Sequence, residues 1–581
     1  MSFNISPIRV EGEGPLSANL VLIGEAPGGE EEKEGRPFVG LSGNKLEAVL
    51  RRNGFERAEV RLENLSPYRP KGNKFELLLG TTELATSVKE LYDRLRNINP
   101  TVICTLGNWP TWFLTGKGKV QKKRNMISGI MNWRGSILRA NVEGLDHIKV
   151  IPTIHPAAIL RDPVLYPTFD QDIKRVKAET EFRELRLPER QFVIAPKGAE
   201  MEQWTNELLR AKKLAVDIEN VKDTSHLLCV GFASSSTLGV CFEYDEHDPL
   251  LRDCLFRLLS SSIPKVFHFG THDTEILRLN GYEVNNYAWD TLLSQHVMWP
   301  ELPRSLAYLT SVHTREPYYK DEVKEDDSDT KAWSAVWAAK REKRSKLYTY
   351  NCKDTCCTHE ISDIHEREIA EGPAAWKRFF EFEMSMLEPF HAIMQTGMLV
   401  DEIRMQEIKR AVEGKLAEQQ VALNSLLGVP GACAQRPCRC GKCINVNSSK
   451  QISAILYDAL GLPKRTKRGD DGESKVTTEE HALVSLIAIC KEKVDSLVRP
   501  PTIAEWKKKL LVVKLIILIR GGRKMKSSYL DIRISDDKRL RSKYRVGGAE
   551  TGRSSAEKYV DGTGANGQTF PRGGVEITEA A

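Results

Sequence analysis

The sequence predicts a multidomain α/β protein whose last third turns helical, and three observations carry that prediction. Its 581 residues exceed what one hydrophobic core organises, at roughly 100–200 residues per domain. Short apolar runs alternate with amphipathic stretches through the first two thirds, the pattern of strands and helices in largely parallel sheets. Beyond about residue 365 strand-like runs become rare, and long helical patterns such as EIRMQEIKRAVEGKLAEQQVALNSLLG take over.

In chain order, NLVLIG reads as a short buried strand ending in the glycine-rich turn GEAPGG. VRLENL, VICTLG and VIPTIH follow as strands, separated by the helical stretches NKLEAVLRRNG and SVKELYDRLRNIN. A first domain over 1–180 is expected, then a polar linker over 181–190. A second α/β domain opens at QFVIAP, continues through KLAVDIEN, LCVGFASS and KVFHFG, and is expected to span 191–368. The helical third region is 369–581. Its tail from about 547 is rich in Gly, Ser and Thr without periodicity, so poor order is expected there.

Composition narrows the class. With 41% hydrophobic and 28% charged residues the chain is an ordinary globular protein. A formal charge of +6 permits a nucleic-acid partner without demanding one. The N-terminus shows no secretory signal, and the apolar run Leu510 to Ile519 is about half the roughly 20 residues a membrane helix needs. Twelve unevenly spread cysteines do not form a secreted disulfide framework. A cytoplasmic protein of a bacterium or phage-infected host, without a membrane partner, is the expectation.

The chemistry-bearing residues cluster in the second domain. Asp217 and Glu219 are two apart in LAVDIEN and so share one strand face. Asp273 follows, then Asp354 with Tyr350 one helical turn before it. Converging carboxylates of this kind suit hard divalent ions and phosphodiester hydrolysis. The set resembles the DEDDy group of 3′–5′ exonucleases, the proofreading domains of DNA polymerases, and WDTLLSQHVMWPELPRSLAYL is similar to the segment joining that group's later motifs. The resemblance implies an RNase H-like fold and two Mg²⁺ (or Mn²⁺) ions held by Asp217, Glu219 and Asp354. Asp273 would complete the site and Tyr350 would orient the attacking water. One departure stands out: the group's asparagine before the middle Asp is missing from His268-Phe269-Gly270-Thr271-His272-Asp273.

The first domain carries GEAPGGEEEKEGRPFVGLSG, ENLSPYRP and IHPAAILR in order, with neither a Walker lysine nor GxGxxG. Together they resemble the uracil-DNA glycosylase superfamily, especially its family 4 branch. A three-layer α/β fold is implied, with Phe38 stacking on a flipped uracil and Asn64 reading its edge. Glu25 would position water, and His155 would stabilise charge developing on the base. Family 4 members usually hold an iron–sulfur cluster on four cysteines; this domain has only Cys104, so no cluster is expected. An active glycosylase and an inactive DNA- or protein-binding module both remain open. The basic run Lys117–Arg124 is either a phosphate contact or a solvated charge run.

In the third region MQTGMLVDEIRM, INVNSSKQISAILYDALGLP, RKMKSSYLDIRI and AETGRSS resemble successive landmarks of family A DNA polymerases, as found in phages, from the start of the polymerase region through the thumb. The basic stretch Trp506 to Arg545 suits a thumb on primer-template phosphates, with Lys524, Lys526 and Arg553 as candidate DNA contacts. In that family the palm carboxylates and fingers helix lie beyond the Thr-Gly-Arg landmark, which here falls about 26 residues before Ala581. The expectation is a polymerase fragment that does not polymerise alone, its palm and fingers lost or supplied by a separate polypeptide. Cys433, Cys438, Cys440 and Cys443, in a Cys-rich insertion at 430–444, offer either a structural Zn²⁺ site or reduced surface thiols.

The functional expectation is a DNA replication or repair protein that trims single-stranded 3′ ends and carries a glycosylase-like front domain. A uracil-excision repair protein and a non-catalytic DNA-binding subunit of a split polymerase are the alternatives.

Overall fold

Strand β1 (Leu20–Gly24) is buried at all five residues, and its alternation feeds two cores. Val21 and Ile23 pack with Leu91, Leu95, Ile103 and Val150 on one face. Leu20 and Leu22 pack with Leu46, Val49, Cys104 and Phe169 on the other. A sheet buried on both faces by helices is the three-layer arrangement expected for the first domain. The computed structural model describes residues 5–121, 126–322, 341–429, 444–468, 474–496 and 499–570. Cys433, Cys438, Cys440 and Cys443 lie outside the described residues.

The other strands of this sheet are β2 (Arg61–Asn64), β3 (Val102–Leu106), β4 (Leu138–Arg139) and β5 (Lys149–Thr153), in the order β2-β1-β3-β5-β4. All pairs are parallel except the edge pair β4–β5. Its helices include α1 (Gly40–Arg52), α2 (Thr82–Ile98), α3 (Pro156–Arg161) and α4 (Tyr166–Glu179). Because β2 and β3 flank β1 on opposite sides, a crevice opens at the carboxyl ends of these strands.

The second domain folds around β6 (Gln191–Ile194), β7 (Leu214–Asn220), β8 (Leu227–Ala233), β9 (Leu238–Glu243), β10 (Lys265–Phe267) and β11 (Tyr287–Asp290). The sheet order is β6-β9-β8-β7-β10-β11, antiparallel only at β9–β8 and β8–β7. Helices α5 (Thr271–Leu279), α6 (Thr291–Met298), α7 (Leu306–His313) and the long α8 (Arg341–Glu371) complete it.

The stretch expected to link the two domains is anchored at both ends rather than free. Lys149 donates to the Phe182 carbonyl at 2.5 Å, while Arg190 pairs with Glu316 at 3.0 Å and Glu360 at 2.7 Å. The domains also meet through buried polar groups. Arg134, 1% exposed, forms a bidentate pair with Asp172 and donates to Ser311 Oγ at 2.8 Å. Arg175 donates to the carbonyls of Gly135 at 2.9 Å and Val312 at 2.8 Å.

Met1–Phe390 and Arg545–Ser554 form one compact unit; His391–Tyr544 and Ser555–Ala581 form the other. In the second unit α9 (Glu402–Leu426), α10 (Glu480–Ser496) and α11 (Pro500–Met525) share a core that includes Leu423, Leu486, Ile516 and Ile519. The tail departs from the expectation of poor order through Phe570. Ser542–Arg545 and Ser555–Lys558 form a two-stranded sheet, and Tyr559, Val560 and Ala565 are buried. Its order comes from irregular turns, which leave no periodic trace in the sequence.

Asp172→Ala would leave the Arg134 guanidinium buried without its counter-charge. Such a loss is expected to destabilise the first unit by about 3–5 kcal/mol, read as an earlier urea transition.

Candidate active sites

The acidic site forms where α8 crosses the sheet. Residue Gly231 of β8 faces Asp217 in register, and a Cβ there would lie 1.9 Å from Asn351 Oδ1. A Cβ at Gly239 of β9 would lie 3.1 Å from Cys352 and Cys356. These two glycines let the helix lie against the strands and bring Asp354 to the end of β7. One carboxylate oxygen each from Asp217, Glu219 and Asp354 lies within 4.8 Å of the others. Cys356 and Cys357 beside them are fully buried core residues.

Burial and mutual repulsion dominate the electrostatics. Desolvation, then the Asp354 charge, pushes Glu219 up to about 8, and the same causes raise Asp217 well above the carboxylate range. Asp273, 7% exposed near the start of α5, adds its charge to Asp217 but is not one of the three clustered carboxylates. The Lys320 ammonium answers this crowding at 2.5 and 2.6 Å from the two Asp354 oxygens and 2.9 Å from the Tyr350 hydroxyl. Tyr319 donates to Asp354 at 2.5 Å, and Asn351 to Asp217 at 2.8 Å. An all-oxygen, crowded donor set, half-buried at Asp217 and Glu219 and buried at Asp354, fits a hard divalent ion.

The loop that departs from the exonuclease pattern is held from behind. Asp290 accepts from the backbone amides of Phe269 at 3.1 Å and Gly270 at 3.0 Å, and Phe269 takes the left-handed conformation with φ 63°. His268, pushed down to about 3 by burial, is neutral and meets Thr291 Oγ1 at 2.9 Å.

In the first domain Glu25, Asn64 and His155 all sit at the carboxyl ends of strands, around the crevice. A Cβ on Gly24 would lie 2.5 Å from Asn64 Oδ1 and 2.7 Å from the Phe38 ring, so bare backbone brings those two side chains together. At Gly107 a Cβ would lie 3.1 Å from Glu25 Oε1 and 3.5 Å from His155 Cβ. Phe38 is 4% exposed with φ 53°, its amide held by Glu31 at 2.5 Å and its carbonyl by Arg57 at 3.2 Å. Burial, then Glu76, raises Glu25 to about 7. Burial lowers His155 to about 4, and its Nδ1 accepts the Ala157 amide at 3.1 Å, so the neutral ring carries its proton on Nε2.

Residues 11–180 match the model of the Uracil DNA glycosylase superfamily. The chain aligns with the type-4 uracil-DNA glycosylase of Saccharolobus solfataricus at 33% identity over 32% of its length and 84% of that protein. The chain belongs to the uracil-DNA glycosylase superfamily. Residues 192–370 of the same chain match a 3′-5′ exonuclease family of the DNA polymerase A type. DNA polymerase I of Synechocystis is 24% identical over 44% of this chain, which spans about a quarter (24%) of that protein's length. The polymerase domain of Pol1 from M. smegmatis, solved with DNA primer-template and dNTP, superposes with a TM-score of 0.45 at 17% identity, covering 66% of this chain and 56% of that one. A glycosylase-superfamily domain and a polymerase-type exonuclease domain thus share one polypeptide, a DNA-processing hydrolase. Among the described residues, no helix is long and apolar enough to cross a membrane.

Of the basic residues singled out from the sequence, Lys524 and Arg553 are exposed. Lys526 is engaged, pairing with Asp531 at 2.5 Å and Glu413 at 3.5 Å. The glycosylase-like and exonuclease domains also contain residues that sequence reasoning missed. Asn351 had a signal, since it shares with Asp354 the i, i+3 face of α8. Lys320 and Tyr319 lie in an irregular segment and had none.

With metal chelated, the fold is expected to lose stability as pH rises from about 4.5 to about 8. Across that window folded Glu219 keeps its proton while the unfolded chain has lost it. Glu219→Gln removes the titrating group. It is expected to flatten that slope and raise the melting temperature at pH 8, measured by calorimetry in chelator.

Proposed function

We propose that this chain is a DNA replication or repair protein whose exonuclease domain removes nucleotides from 3′ DNA ends. The observation that carries the reading is the convergence of Asp217, Glu219 and Asp354 beside Tyr350. These three would hold two divalent ions of the Mg²⁺ class, whose chemistry is to activate water and offset phosphate charge. Tyr350, its proton held on the hydroxyl by burial and the surrounding carboxylates, donates toward the attacking water. Asp273 and the Asp290-braced loop would position the scissile end. Lys320 and Tyr319 would keep Asp354 oriented.

A second activity is favoured by the crevice of the first domain. Asn64 and Phe38 meet at Gly24 as a base-reading pair, an edge reader beside an aromatic ring. The neutral His155, with Nε2–H available, would donate to the base oxygen as the glycosidic bond breaks, and Glu25 would position water. Uracil is therefore the proposed base, and this domain a glycosylase in its own right. Lys524 and Arg553 are proposed contacts to DNA phosphates.

On a 3′-labelled single strand with Mg²⁺, the protein is expected to release mononucleotides. Asp217→Ala should slow this by about a thousandfold or more, from the several kcal/mol a metal site contributes. Wild-type protein that leaves the strand intact would overturn the exonuclease reading. Free uracil released from uracil-containing DNA, and lost in Asn64→Ala while exonuclease activity persists, would establish the front domain's activity separately.

A further inference from the structure

A second cluster of ligating side chains lies partly on the same long helix as Asp354, about three to four turns further on. His365 and Glu368 are three apart on α8 and so share a face, and His313 closes α7 against them. One ligand atom from each of the three lies within 4.8 Å of the others. The two imidazole Nε2 atoms are 3.1 Å apart, with their rings at 83°. Two nitrogens on one tetrahedral zinc ion, at Zn–N of about 2.0–2.1 Å, stand about 3.3 Å apart.

The outer nitrogen of His365 also has a hydrogen-bonding neighbour. Ser294 Oγ lies within bonding distance of the Asp290 carbonyl at 3.1 Å and the Thr291 carbonyl at 3.2 Å. It stands 2.8 Å from His365 Nδ1, so with a metal on Nε2 the ring proton on Nδ1 has the hydroxyl oxygen as its acceptor. That tautomer aims the bare lone pair of His365 Nε2 at the cluster. A ligating histidine fixed through its other nitrogen by a hydrogen-bonding neighbour is the usual support around a metal.

We propose that His313, His365 and Glu368 form a mononuclear site for a divalent transition metal of the zinc class, separate from the acidic exonuclease cluster. Two imidazoles and one carboxylate leave a fourth position for water. The ligand set selects a borderline ion over Mg²⁺, which prefers oxygen. Lys174 and Arg367 draw Glu368 toward its charged, ligating form, and Arg175 helps burial keep His313 neutral, while the positive charge of all three opposes a bound cation; the Arg175 guanidinium also bonds the Gly135 and Val312 carbonyls. Bound there, the ion would clasp the end of α7 to α8 beside the glycosylase-domain helix α4.

The test uses full-length protein stripped with chelator and titrated with Co²⁺. Asp217→Asn, Asp354→Asn, Cys433→Ser and Cys438→Ser are combined as background to silence the other metal-binding groups. One cobalt per chain is expected, with tetrahedral d–d absorption and no thiolate charge-transfer band. His365→Ala should abolish it. Ser294→Ala, which touches no metal, should weaken Co²⁺ binding by about 10–100-fold without altering the circular dichroism spectrum. Should His365→Ala fail to fold, Ser294→Ala and Glu368→Gln give the same reading. A background protein that binds no cobalt, or binds it equally with Ser294 and Glu368 replaced, refutes the site.

Discussion

The acidic site is packed around two positions that carry no side chain, Gly231 and Gly239. A Cβ at Gly231 would force Asn351 to move and one at Gly239 would press on Cys352 and Cys356, so larger residues there would disturb the seat of α8 on β8 and β9 and the approach of Asp354 to Asp217 and Glu219. A methyl group at Gly231 would meet Asn351, the residue that donates to Asp217, so packing and chemistry are fixed at one contact. The contact has an electrostatic cost. Close packing concentrates like charges in a desolvated place, where carboxylates hold protons far above their ordinary range.

The two sites of the first unit manage charge in opposite ways. The acidic cluster of the second domain answers its crowded carboxylates with Lys320. The glycosylase crevice keeps its groups near neutrality, with Glu25 near 7 and His155 without a charge at physiological pH. A crowded anionic site favours a cationic ligand, whereas a neutral crevice spares an uncharged ligand the cost of desolvating a charge.

Legibility followed periodicity and spacing. The buried strands, the Asp-x-Glu pair and the Tyr-x-x-x-Asp turn were readable because strand and helix periods fix which residues share a face. Lys320 was not, since a lysine in an irregular segment carries no mark of where its long side chain reaches. Nor was the bracing of the His268–Asp273 loop, which comes from Asp290 and depends on a β11 neighbour distant in sequence. The packed tail shows the same limit, as its turns obey local hydrogen bonding rather than a period.

The buried arginines between the first two domains bear on how such a protein arises. Arg134 and Arg175 belong to the glycosylase domain, yet each directs part of its guanidinium to an acceptor on the exonuclease side. Cut free at the linker, the front domain would expose donors shaped for a partner it no longer has. The seam ties the front domain to its neighbour, so a substitution on either side of it is felt by both. The front domain's limits are set partly by the surface of its neighbour.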